Sequence, residues 1–190
     1  MFIQTEQTPN PASLKFLPGC EVLGASSTAE FSSADDAADV SPLAVALFRV
    51  DGVAGVFLGG DFITVTKADD AAWPPLKPLL LGVIMEHFTA GRPVMTDEHL
   101  ATAPARASSI NDDDDDVVRQ IKEILDTRIR PAVAADGGDI EFDSFDGGVV
   151  YLRMRGACAG CPSSTATLKM GIENLLKHFV PEVNEVQAVN

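Results

Sequence analysis

The hydrophobic period changes along this chain, and each change predicts an element. Val117, Val118, Ile121, Ile124, Leu125 and Ile129 recur at helical spacing and form one apolar face. The stretch "DIEFDSFDGGVVYLRMRG" then switches to strand chemistry, predicting strands over 139–145 and 149–155 around a turn at Asp146-Gly147-Gly148. In the second strand Val149, Tyr151 and Arg153 oppose Val150, Leu152 and Met154. In the first, Ile140, Phe142 and Phe145 do not alternate cleanly. Helical spacing returns with Leu168, Ile172, Leu175, Leu176 and Phe179, and "EVNEVQAV" supplies a last strand. The predicted order is α-β-β-α-β.

The first half patterns differently. "FIQTEQTPNPASLKFLPG" holds two short strand-like runs separated by a Pro/Asn turn. Ser41 followed by Pro42 starts a helix through "PLAVALFRV". "GVAGVFLGGDFITVTK" reads as a hairpin turning at Gly59-Gly60-Asp61, and a helix from Pro74 or Pro75 to Phe88 ends at the capping Gly91. Between the halves, "PVMTDEHLATAPARASSINDDDDDVV" loses apolar periodicity and fills with Ala, Ser, Thr, Pro and Asp. The fold class is therefore α+β: two small α+β domains, residues 1–92 and 112–190, joined by a flexible acidic linker over 93–111. The five aspartates 112–116 suit a helix start, where the dipole favours negative charge.

Charge narrows the functions open to such a chain. Its 28 acids and 14 bases leave a net −14, with −7 on residues 1–106 and −7 on residues 107–190. A phosphate backbone is repelled by that field, so nucleic acid is not an expected partner. "PLLLGVIMEHF" is too short to span a bilayer, so no membrane partner is expected either. The opening "MFIQTEQTPN" has neither a secretory nor a transit-peptide character. The expectation is a bacterial cytoplasmic protein, or a mitochondrial matrix protein if the chain is a processed eukaryotic form.

Chemistry concentrates in "RGACAGCPSS", where Cys158 and Cys161 lie three positions apart among small residues. Pro162 suits a first helical position, which makes Cys161 the expected N-cap. A thiol there faces unpaired N–H groups, which lower its pKa and favour thiolate. Three chemistries use such a pair. A thioredoxin-type dithiol belongs on a parallel βαβ sheet, whereas this loop follows an antiparallel hairpin. Zinc wants four N or S ligands, and no second CxxC is present. An iron–sulfur cluster also wants about four thiolates, which two chains would supply.

"RPAVAADGGDIEF", the hairpin and "LRMRGACAGCPSSTATLKMGIENLLKHFVPEV" resemble the NifU C-terminal (Nfu-type) domain across residues 117–190. "MFIQTEQTPNPASLKFLPG" is similar to the N-terminal domain that accompanies it. The resemblance implies an iron–sulfur scaffold or carrier holding a [4Fe–4S] cluster through Cys158 and Cys161. On that reading the cluster bridges a homodimer, arrives from upstream cluster assembly proteins, and passes to apo iron–sulfur proteins. The N-terminal domain would serve recognition or positioning. A dithiol–disulfide oxidoreductase and a zinc-clamped dimer are the rival readings.

Other candidates carry less. Asp136-Gly137-Gly138-Asp139 reads as a tight turn before the metal-site alternative, and Cys20 as an ordinary thiol. His87, His99 and His178 share no motif. Arg153 and Arg155 either offset cluster charge or face solvent. No catalytic constellation is evident.

Overall fold

The computed structural model describes residues 2–24, 27–96, 115–159 and 162–189. The first part is a five-stranded antiparallel sheet: β1 (Gln4–Gln7), β2 (Ser13–Leu17), β3 (Ala29–Phe31), β4 (Val53–Leu58) and β5 (Ile63–Lys67), in spatial order β1-β2-β5-β4-β3. Three helices belong to it: α1 (Ala34–Ala37), α2 (Pro42–Phe48) and α3 (Trp73–Thr89).

Local chemistry explains most of these boundaries. Ser41 caps α2, its hydroxyl accepting from the Ala44 N–H while donating to the Val94 carbonyl. Gly91 adopts φ +62° beyond the end of α3, as a C-terminal glycine should. The β4/β5 hairpin turns at the expected glycines. Two short elements, β3 and α1, were not anticipated, being three and four residues long.

On one side of this sheet Leu14, Phe16, Val56, Leu58, Ile63 and Val65 pack against Leu43 and Leu47 of α2 and Leu76, Leu80 and Ile84 of α3. That is the first core.

The second part begins with α4 (Asp116–Ile124), which runs through a π-helical turn at Leu125–Ile129 into α5 (Arg130–Ala135). The periodicity predicted one helix here; the π turn is an addition to it. Asp115 occupies the N-cap position without a side-chain bond to the helix. Asp112, Asp113 and Asp114, with most of the expected linker, lie outside the described residues.

A three-stranded sheet follows, β6 (Gly138–Asp146), β7 (Val149–Gly156) and β8 (Glu185–Val189), with α6 (Pro162–Phe179) connecting the last two. β6 and β7 are antiparallel, whereas β8 joins β7 in parallel. The ladder shifts register between Phe142 and Ser144, which is why the apolar residues of β6 do not alternate. Val150, Leu152, Ile121, Leu125, Ile172 and Leu176 form the second core.

Candidate cysteine-loop site

The loop between β7 and α6 inherits its geometry from both neighbours. β7 ends at Gly156, whose φ of +62° suits glycine, and α6 begins at Pro162 as expected. Thr165 of α6 donates its hydroxyl to the Cys158 carbonyl at 3.0 Å, tying the helix back to the loop. Cys161 lies outside the described residues, so the geometry below concerns Cys158.

Cys158 is buried, at 5% exposure, and its side chain joins the second core. Gly138 makes room for it. A Cβ at that position would meet the Cys158 sulfur at 2.5 Å and the Arg155 carbonyl at 2.7 Å. The turn of Asp136-Gly137-Gly138-Asp139 is therefore the seat of the thiol as well as the entry to the hairpin. Gly137, at φ +83°, supplies the turn, and Gly138 supplies the space. Spacing alone gave no reason to pair Gly138 with a cysteine twenty positions away. Two adjacent glycines opening a strand were the one visible signal.

Arg130 fixes this turn from below. Its guanidinium donates to the Ile140 carbonyl at 3.0 Å and to Asp126 at 2.7 Å, and Asp139 lies 3.4 Å away. A buried arginine with several acceptors is well satisfied and holds them in one arrangement.

Burial pushes the Cys158 thiol up to about 12, with the nearby Asp136, Asp139 and Glu30 carboxylates adding to it. The thiolate-lowering environment expected at the N-cap concerns Cys161, which lies outside the described residues. Cys158 sits in the opposite kind of environment and holds its proton at neutral pH. The acidic neighbours form no ligand cluster with the thiol: among the described residues no three His, Cys, Asp or Glu side chains come together as they would around a metal ion.

A cleft of about 510 Å³ opens beside Cys158, between Pro9 on one wall and Thr167, Leu168 and Gly171 of α6 on the other. Pro9 comes from the first part of the chain. The cysteine loop, built of small residues, meets the first part of the chain on that side.

The remaining candidates are placed elsewhere. Arg153 and Arg155 are engaged in cross-strand ion pairs with Asp143 at 3.0 Å and Glu141 at 2.5 Å. Cys20 is exposed. His87 is buried in the first part, its Nε2 3.1 Å from the Pro93 carbonyl, and His178 lies edge-on to Phe179. His99 lies outside the described residues. Among the described residues no helix is long and apolar enough to cross a membrane.

An N-terminal antiparallel sheet is followed by an α-β-β-α-β unit with a CxxC loop ahead of its last helix, the arrangement expected of a two-part NifU-type protein. Family comparison agrees. "Scaffold protein Nfu/NifU N terminal" matches residues 3–91 and "NifU-like domain" matches residues 121–187. The chain belongs to the Nfu-type scaffold family. It is 53% identical over 189 residues to the NFU1 iron-sulfur cluster scaffold homolog, mitochondrial, of Drosophila persimilis. It is 54% identical, again over 189 residues, to that of Drosophila willistoni. Each alignment takes in 100% of this chain, which spans 65% and 64% of those relatives' lengths. Among solved structures, the solution NMR structure of a NifU-like protein from Saccharomyces cerevisiae aligns with a TM-score of 0.46 at 27% identity. That alignment covers 51% of this chain and 86% of the other.

Proposed function

We propose that this protein is an iron–sulfur cluster scaffold and carrier rather than a catalyst. Two copies hold one [4Fe–4S] cluster through Cys158 and Cys161 of each, and the cluster passes from upstream assembly proteins to apo iron–sulfur proteins. In this reading residues 1–92 and 112–190 are the two domains and 93–111 the tether. The observation that carries it is the placement of the CxxC loop. It lies between the end of β7 and the first turn of an 18-residue helix, with Gly138 hollowed out beneath the thiol. Names of relatives that are themselves iron–sulfur scaffolds support the same reading.

The donor set sets the stoichiometry. Each chain brings two thiols in this motif, and a four-iron cluster takes about four thiolates, so the second pair comes from a second copy. A cluster shared across an interface is released when the two copies part, which suits delivery. Thiolates are the ligand form, so loading a cluster expels a proton from Cys158. The relatives' mitochondrial descriptions fit the matrix alternative, that of a processed eukaryotic protein.

Anaerobic reconstitution with iron and sulfide, followed by native mass spectrometry, tests the proposal. The expected result is a dimer gaining one four-iron, four-sulfide unit, lost in the Cys158→Ala/Cys161→Ala double variant. A colourless monomer that reduces disulfides would favour the oxidoreductase reading, and bound zinc without sulfide the structural dimer.

A further inference from the structure

An antiparallel sheet with helices on one side commonly leaves its other face to water. The second face of the N-terminal sheet is buried instead. Ser13 and Lys15 of β2 and Thr64 of β5 lie there, with Phe57 of β4 at 2% exposure and Phe62 beside it. None of these five belongs to the first core.

The cysteine loop and its seat are what cover this face. The Thr64 hydroxyl donates to the Gly137 carbonyl at 2.7 Å. The Lys15 ammonium donates to the Ala135 carbonyl at 3.0 Å, at the C-terminal end of α5, where a cation is favoured. The Asn10 amide donates to the Ala159 carbonyl at 3.2 Å, and the Gly156 N–H donates to a Glu30 carboxylate oxygen at 2.9 Å. Gly156 lies so close to Phe57 that a Cβ there would meet its ring at 2.9 Å. Two of these contacts, at Gly156 and Ala159, bracket Cys158 in sequence.

We propose that this sheet face is a reversible cover for the cysteine loop, and that pairing of two loops around a cluster requires its release. The inference rests on the carrier reading above and extends it. A bridging cluster needs the Cys158 sulfur uncovered and a second loop directly opposite. The N-terminal sheet stands against the same loop, with Asn10 on one flank of Cys158 and Glu30 and Phe57 on the other. One loop cannot seat both partners at once.

The chemistry of the contact suits release. It is made mostly of side chains reaching backbone groups, around a small aromatic centre. Those side chains are polar, so water satisfies them when the contact opens. Interfaces of this polar kind between parts of one chain ordinarily open and close. Residues 97–114 join the two parts and reach about 60 Å when fully extended, so the sheet can leave without either part unfolding.

The test uses the full chain, with two variants. Lys15→Met/Thr64→Val removes two of the bonds. Glu30→Lys reverses the charge at an exposed side chain and so leaves the sheet's own core untouched. Cys158 alkylation is followed by peptide-resolved mass spectrometry against the exposed Cys20 as internal reference. Small-angle scattering compares the separation of the two parts before and after anaerobic loading with iron and sulfide. The expected result is about tenfold faster Cys158 alkylation in both variants, and a wider separation in the loaded wild-type dimer. Equal alkylation rates in all three proteins would overturn the proposal, as would a loaded dimer that keeps the closed separation. Freed Cys158 with no iron or sulfide retained by any form would instead overturn the carrier reading, leaving the docking contact itself standing.

Discussion

The two sheets solve the same problem in opposite ways. Along β7 every second residue is buried: Val150, Leu152, Met154 and Gly156 face inward, while Val149, Tyr151, Arg153 and Arg155 are only partly covered. Along β2 four successive residues, Ser13 to Phe16, are all buried. The difference is not hydrophobicity, because half of that β2 run is polar. It is that β7 has one protein-covered face and β2 has two. A buried polar face is tolerable only when its groups find partners, and here Lys15 reaches the Ala135 carbonyl, Thr64 the Gly137 carbonyl and Ser13 the Thr66 hydroxyl. Polar residues buried on a strand's second face thus mark a docking surface, where an apolar second face would mark a permanent core.

The largest effect separates the two faces of the N-terminal sheet directly. Phe16→Ala removes a core aromatic and should cost about 3–5 kcal/mol of stability in the first part. Phe57→Ala, equally buried, should cost the first part much less in chemical denaturation while loosening its contact with the second. Equal losses in both variants would mean that the second face is simply more core, and the comparison would collapse.

Gly138→Ala acts at the seat of the thiol. The added methyl meets both the Cys158 sulfur and the Arg155 carbonyl, and backbone cannot yield as a side-chain tip does. An overpacking cost of about 1–3 kcal/mol is expected, with cluster retention reduced in the reconstitution assay. An unchanged melting curve together with full cluster retention would show that the loop sits elsewhere when loaded.

The smallest expected effect is a difference in acid sensitivity between the two parts. His87 lies within the first core region, and burial holds its pKa below the usual 6.5, with the nearby Arg92 adding to that effect. The folded state therefore resists taking up a proton that the unfolded chain accepts. Stability carried by neutral His87 is present above about pH 6.5 and lost as pH falls below it, through the depressed folded value. The described part of the second core holds no histidine, His178 being exposed. Denaturation monitored separately for each part between pH 7 and pH 5 should show the first part weakening more. His87→Gln should flatten that difference.

Much of this architecture is legible in the sequence. The α-β-β-α-β order, the β4/β5 hairpin, the Ser41 cap and the Pro162 start all follow from local rules. A period, a turn residue or a cap acts within a few positions of itself. The irregular spacing of Ile140, Phe142 and Phe145 already recorded the register shift, though not its position. The three-residue β3 was too short to leave a period, and the π turn keeps the apolar face of the helix it interrupts.

Local pattern was enough for most of the elements, for the apolar faces they carry and for where the two thiols stand along the chain. Long-range contacts alone place the N-terminal sheet against the cysteine loop and bury Cys158 there. The reason is physical. Thr64 meets Gly137 across 73 positions and Glu30 meets Gly156 across 126. A polar residue on a strand's second face carries the same pattern whether water or a distant carbonyl satisfies it.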